Sequence, residues 1–322
     1  MSNQENLPNE EIAATIASKM LEQEVLTSKR LTTGGHTYVY AIKTSSSEYV
    51  IRIADMQYRD TFAAAVYWQN KLLPLSIPLA KFIGIDLDCK YSSFSALLMH
   101  RLPGDDLCNV YKDLSSIDKQ NLAAEIVKIQ IEMQALPESS GYGFANSYES
   151  TPQYKSWYDF IIARLMICKE ALAKSTNFDQ NVIPTVLAAA KELETDLCLI
   201  KAQPFMWDTS ERNVMVFNGE ISGIVDVDDL CFGDPLFVLG LTYVALEQEG
   251  QDTIYMDTWA NLLHLDKKAK LRLQFYRLFY TTWFMRSYCN KFSPNGQAYN
   301  FDAQILKTMF QQALIRIQEY QL

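Results

Sequence analysis

The stretch 206–235, MWDTSERNVMVFNGEISGIVDVDDLCFGDP, decides the reading of this chain. Asp208 and Asn213 stand five positions apart, ahead of the short apolar run VMVF. Asp226 ends a second run, Asp228 and Asp229 follow it, and Gly233-Asp234-Pro235 closes the stretch. Between the runs lies Asn218-Gly219, a dipeptide suited to tight hairpin turns. The pattern predicts two short strands folded back on each other, with Asn213 and Asp226 at neighbouring ends. Their oxygens are hard donors that suit Mg²⁺. A carboxylate on the preceding loop, Asp208, faces the same place. Phosphoryl transfer from ATP needs both parts: a metal to neutralise phosphate oxygens and a carboxylate to orient the attacking hydroxyl and take its proton. Asp226 in the apolar run IVDVDD is the strongest metal candidate, because a carboxylate among strand residues is costly without a partner.

The 322 residues are long enough for two lobes or domains, and 48% hydrophobic residues with 12% aromatic supply a sizeable core. The net charge of −9 argues against nucleic-acid binding, which needs a basic footprint. That charge is uneven. Residues 1–103 hold ten acidic and ten basic side chains, so the remaining 28 acidic and 19 basic ones put the whole excess into residues 104–322. The start, MSNQENLPNEE, has no basic stretch followed by an apolar one, and the longest apolar run, near 237–246, is too short to span a bilayer. Six scattered cysteines form no CxxC pair, and three histidines exclude a His-rich metal site. A cytoplasmic protein with free thiols and no membrane partner is expected.

Outward from 206–235 the chain changes character once. Residues 10–24 read as a leading helix. Segments 38–42 and 49–53 read as a hairpin turning at 44–47, residues 58–73 as a helix, and 95–102 as a strand stopped by Pro103-Gly104. Beyond it, 118–134, 158–174 and 183–200 carry apolar residues at helical spacing, and the chain after Leu236 is again helical. The boundary is set at 103/104: a β-rich lobe 1–103, then a helical lobe 104–322 that carries the metal-binding hairpin. The lobes divide where the charge divides.

The ordered set Asp208, Asn213, Asp226 and Gly233-Asp234-Pro235 resembles the catalytic region of the aminoglycoside phosphotransferase and choline kinase-like family, small-molecule relatives of the protein kinases. The resemblance covers about residues 25–290. It implies a two-lobe, protein kinase-like α+β fold. It places the catalytic base at Asp208 and the metal ligands at Asn213 and Asp226, with Mg²⁺ as cofactor and ATP or GTP as phosphate donor. Gly34-Gly35-His36-Thr37 resembles the family's loop over the phosphates, and Arg52 in YVIRI stands at the strand cation that touches them, with Lys43 as competitor. ALLMHRLPG resembles the hinge that holds the base, which makes Met99, His100 and Arg101 the adenine contacts.

Two positions depart from the family pattern. Met206 stands where the family has a supporting His, and no Glu occurs in FAAAVYWQ, where Asp60 is the nearest substitute for the helix acid that pairs with the strand cation. The leading expectation is a small-molecule kinase that phosphorylates a hydroxyl of an amine-bearing acceptor. The alternative is a catalytically degenerate, nucleotide-binding or regulatory module. Asp228, Glu247 and Trp283 are the candidate acceptor contacts. The remaining aromatic residues of 273–288 read as core. Asp234 is expected to brace its loop or cap the next helix, away from the chemistry.

Overall fold

The computed structural model describes residues 7–31, 37–150, 153–290 and 301–321. Its first part is a five-stranded antiparallel sheet: β1 (Thr27–Leu31), β2 (Tyr38–Lys43), β3 (Glu48–Ala54), β4 (Phe82–Asp86) and β5 (Ser95–His100), in the order β1-β2-β3-β5-β4. The β2–β3 hairpin closes where expected. Thr44 N–H donates to Ser47 O at 3.0 Å, and the Thr44 hydroxyl accepts from the Ser46 and Ser47 amides.

Strand alternation sends successive side chains to opposite faces. Ile51, Ile53, Ala96 and Leu98 point to one face and are covered by α1 (Glu10–Leu21) through Ala13, Ile16 and Ala17. Asn9 caps that helix by accepting the Ile12 amide at 2.9 Å. On the other face Ala54 and Leu97 meet Phe62 and Ala65 of α2 (Arg59–Leu72). Arg52 lies between Ile51 and Ile53 in sequence, so it faces the α2 side, where its guanidinium sits 5.4 Å from the centre of the Phe62 ring.

Beyond Gly104 the chain is mainly helical. The helices Ser116–Glu132, Trp157–Leu172, Val182–Glu192, Leu236–Gln248, Lys267–Asn290 and Ala303–Gln321 share one large core. Residues Leu236 to Leu246 are buried on every side. Most aromatic residues of 273–288, among them Phe275, Tyr276, Phe279 and Tyr280, are core. The expected helix over 183–200 is two, Val182–Glu192 and Glu194–Cys198. None of the described helices is long and apolar enough to cross a membrane.

Six short strands lie in this part: β6 (Asp105–Asp106), β7 (Gly143–Ala145), β8 (Gln203–Phe205), β9 (Val214–Phe217), β10 (Glu220–Ile224) and β11 (Leu230–Gly233). They form two three-stranded sheets, β10-β9-β6 and β7-β11-β8. The β9–β10 turn has φ of +53° at Asn218 and +81° at Gly219, the double positive-φ turn that this dipeptide favours. Gly104 joins the sheet to this layer at φ +92°. A Cβ there would lie 1.9 Å from Val216 O, so the backbone approaches β9 as only glycine allows.

Candidate active site

The two small sheets bring three distant segments to one place. Pairing of β8 with β11 sets Phe205 opposite Cys231, which brings the loop after β8 alongside the segment 226–229. Pairing of β9 with β10 sets Val214 opposite Ile224, so the residues just beyond, Asn213 and Val225, also face each other. The Val225 amide donates to Asn213 O at 3.0 Å. Asp226 comes next, with φ of +60°, an unusual backbone for a non-glycine residue and one that asparagine and aspartate tolerate best. Val39, Val50, Arg52 and Met99 of the first sheet roof a cleft of about 1210 Å³ over Trp207, Asp208, Asn213 and Asp226.

The loop that carries Asp208 is held without a histidine. Met206 is buried, and its carbonyl accepts the Thr209 hydroxyl at 3.0 Å, which in turn accepts from Gln130 Nε2 at 2.9 Å. Trp207 Nε1 donates to Asp229 Oδ1 at 2.5 Å, a direct tie between the loop that carries Asp208 and the segment 226–229. Asn213 Nδ2 donates to Asp208 O at 2.8 Å. The amide nitrogen is therefore spent on the loop, and Oδ1 is the atom left to serve a metal. Asn213 Oδ1 and the Asp226 carboxylate, 40% exposed at the cleft, form a hard oxygen set that fits Mg²⁺.

The carboxyl groups here repel one another. Asp208 is held well above the usual carboxylate range by burial first, then by Asp226 and Glu211; Ser210 Oγ, 3.3 Å away, acts in the opposite sense. Asp229 is pushed up to about 7 by burial, against the pull of its Trp207 bond. Glu211, likewise raised to about 7 by burial, keeps Oε2 buried with no hydrogen-bond partner. A carboxyl raised on folding binds its proton more tightly in the native state, so its contribution to stability falls as pH rises from its ordinary value through the raised one. Glu211→Gln is therefore expected to raise the melting temperature by a few degrees at pH 8 in metal-free buffer, for a gain of about 2 kcal/mol. That gain should vanish by pH 5, where Glu211 is protonated anyway. Thermal unfolding at the two pH values checks it.

Arg52 is a buried cation of the cleft, which Arg101 and Arg212 line from more exposed positions. Its side chain is 9% exposed, and its guanidinium forks onto Asp228, Nη1 to Oδ1 at 2.6 Å and Nη2 to Oδ2 at 2.5 Å. Nη2 also lies 2.9 Å from Asp226 Oδ1. Burial alone would lower the Arg52 pKa, but Asp228 and then Asp226 more than reverse this and raise it. Lys43 is exposed and pairs with Glu48.

The other candidates divide. Thr37, Met99, His100 and Arg101 line the cleft, whereas Gly34, Gly35 and His36 lie outside the described residues. The Arg101 amide is spent within the sheet, donating to Glu48 O at 3.1 Å. Asp60 does not reach Arg52: it is 87% exposed and lies 3.9 Å from Arg59. Asp228 faces Arg52, and it is not among the residues lining the cleft. Glu247 is also absent from that lining, and its two oxygens take Arg277 Nη2 at 2.5 and 2.8 Å; Glu249, two residues on, reaches the cleft. Trp283 lines the cleft, but the guanidinium groups of Arg164 and Arg286 already sit 4.4 and 4.6 Å from its ring. Sequence reasoning missed Asp105, Asp106 and Glu211 as cleft residues. Asp105 and Asp106 arrive through β6, which pairs with Val216 and Met215 of β9.

Asp234 takes the Tyr276 hydroxyl at 2.8 Å and Arg272 Nε at 2.9 Å on Oδ2, and the Leu236 amide at 3.1 Å on Oδ1. Trp157 Nε1 donates to the Tyr276 hydroxyl at 2.8 Å. The residue is a buried brace between the segment that follows β11 and the helix Lys267–Asn290.

The model of the phosphotransferase enzyme family matches residues 27–274, three quarters of the chain. The chain belongs to this phosphotransferase family. Among solved structures it is similar to a thermostable mutant of aminoglycoside phosphotransferase APH(4)-Ia in its apo form, with 17% identity, a TM-score of 0.64, and coverage of 97% of this chain and 98% of that one. A second is the putative fructosamine-3-kinase from Haemophilus somnus 129PT, at 15% identity and TM-score 0.63, covering 94% and 96%. A third is the GDP complex of a point mutant of aminoglycoside 2′-phosphotransferase-IIIa, at 14% identity and TM-score 0.65, covering 97% of each chain. No curated protein matches the chain. The phosphotransferase has the two-lobe kinase-like fold of these structures.

Proposed function

We propose that this phosphotransferase is a small-molecule kinase that moves the γ-phosphate of ATP or GTP to a hydroxyl of an amine-bearing acceptor. The observation that carries the reading is the convergence of Asp208, Asn213, Asp226 and Arg52 on one cleft between sheet and helices. The acceptor hydroxyl meets Asp208, which orients it and takes its proton. Arg52 neutralises phosphate charge from the roof of the cleft. Asn213 and Asp226 would hold Mg²⁺, which when bound offsets the charge of the phosphate oxygens. Met99, His100 and Arg101 are the proposed base contacts, with Gly34, Gly35, His36 and Thr37 over the phosphates. APH(4)-Ia mutants are known in ternary complexes with ADP or AMP-PNP and hygromycin B, and the 2′-phosphotransferase complex holds GDP, which supports both donors as candidates here.

The charge of the cleft supports a cationic acceptor. Asp105, Asp106, Asp208, Glu211, Asp226 and Glu249 line it, against Arg52, Arg101 and Arg212. Six acids of the large lobe thus line one space, and because burial holds Asp208 and Glu211 above the ordinary carboxylate range, a bound amine is favoured by drawing them into their ionised forms. Burial first, and then Asp105, push Asp106 up to about 6, and a bound ammonium would offset both effects by favouring its ionised form. A nucleotide-consumption screen over amino sugars, amino alcohols and neutral sugars tests the reading. Acceptor-dependent ADP or GDP formation confined to amine-bearing alcohols is expected. Nucleotide binding with no turnover on any acceptor would favour the degenerate module.

A further inference from the structure

A strand cation that is to meet phosphate must be held in place before the phosphate arrives. Arg52 is held from across the cleft. α2 carries a single acid, Asp60, and it points to solvent. The carboxylates facing the guanidinium are Asp228 and Asp226, both from the loop after β10. Phe62 packs against the guanidinium from α2 without charge. The two contacts differ in kind. Asp228 takes both terminal nitrogens in a two-bond fork, the strongest geometry open to this pair, whereas Asp226 touches Nη2 alone. Asp228 is itself fixed, because its neighbour Asp229 is tied to Trp207.

We propose that Asp228 is the positioning residue for Arg52, a carboxylate of the large lobe that holds the small-lobe cation on its fork and so limits Asp226 to the single Nη2 contact. The inference rests on the nucleotide-binding reading above. If Asp228 loses its charge, the guanidinium keeps one anionic neighbour, Asp226. Released from the Asp228 fork, it competes more strongly for the Asp226 oxygens proposed to serve Mg²⁺. The same fork joins residues 176 positions apart and bridges the sheet to the helical lobe, so it also sets how the roof of the cleft meets its floor.

Calorimetric titration with ADP, with and without Mg²⁺, tests this in unsubstituted protein and in Asp228→Asn, Arg52→Gln and the double variant. Asp228→Asn is expected to weaken ADP binding about tenfold in Mg²⁺ and to leave binding in EDTA within a factor of about two. A general loss of folding would weaken both alike. The double variant is expected to bind no more weakly than Arg52→Gln, because Asp228 acts through Arg52. Unchanged affinity in Asp228→Asn, equal weakening with and without Mg²⁺, or a double variant that multiplies the two single losses would each overturn the proposal. If Asp228→Asn does not fold, Asp228→Glu replaces it. A loss of about threefold in Mg²⁺ that disappears in the Arg52→Gln background is then expected, and unchanged affinity overturns the proposal. Failure of the unsubstituted protein to bind ADP would overturn the kinase reading, and this proposal with it.

Discussion

Asp208→Asn should abolish phosphoryl transfer, with a fall in turnover of about a thousandfold, while leaving nucleotide binding nearly intact. General-base catalysis by a positioned carboxylate contributes roughly a hundredfold to ten-thousandfold, and an amide of the same shape cannot take the proton. Nucleotide binding should survive, because Arg52, Asn213 and Asp226 keep their places. The substitution has a second expected signature. Asp208 is raised by burial and by repulsion from Asp226 and Glu211, so its ionised form costs the apo protein stability above the raised pKa. Removing that charge should leave the melting temperature unchanged or higher at pH 8, and the benefit should fade as the pH falls and Asp208 protonates. A variant that loses turnover while gaining stability marks a group kept for chemistry. Parallel turnover, calorimetric and thermal measurements on Asp208→Asn check both signatures, and a variant that keeps full turnover contradicts them.

The largest stability loss is expected at Asp234. Its carboxylate is buried and accepts from Arg272, Tyr276 and the Leu236 amide at once. Asp234→Ala leaves the guanidinium of Arg272 without its partner and the Tyr276 hydroxyl without its acceptor. Breaking a buried ion pair by removing one member costs about 3–5 kcal/mol. For a chain of this size that lowers the melting temperature by roughly 6 °C. Asp88→Ala is the matched control. Asp88 pairs with Arg59 at 3.0 Å but is 84% exposed, and such surface pairs contribute about 1 kcal/mol or less. Thermal unfolding should separate the two clearly.

The site was more legible than the framework around it. The candidate base and metal ligands sit in one continuous stretch, 206–235, and their spacing encodes a hairpin directly, so Asn213 and Asp226 come together as the pattern requires. Helices with strong period were found within a few residues of their ends. The break at Leu193 left no such mark. The strands that were missed share a physical cause. β1 and β4 are edge strands with weak apolar alternation, and β4 pairs irregularly with β5 near Gly84. β6, β7 and β8 have two or three residues each, too few to show a period, and β11 is buried throughout, so it does not alternate. The acid cluster of the cleft was hidden because β6 reaches it by pairing with a strand more than 100 positions away. Asp228 was assigned to the acceptor for a related reason. Its ion-pair partner, Arg52, is 176 positions distant, and sequence spacing carries no information about that contact. The uneven charge noted in the sequence acquires a place: six of the acids of residues 104–322 line one cleft.

Phosphate transfer from this cleft to a small alcohol is proposed to run through Asp208. It is tested most directly by following acceptor phosphorylation with γ-labelled ATP or GTP and an amine-bearing alcohol, in Mg²⁺, for the unsubstituted protein and Asp208→Asn side by side. Labelled acceptor is expected from the first and none above background from the second. Equal labelling by both proteins would contradict it.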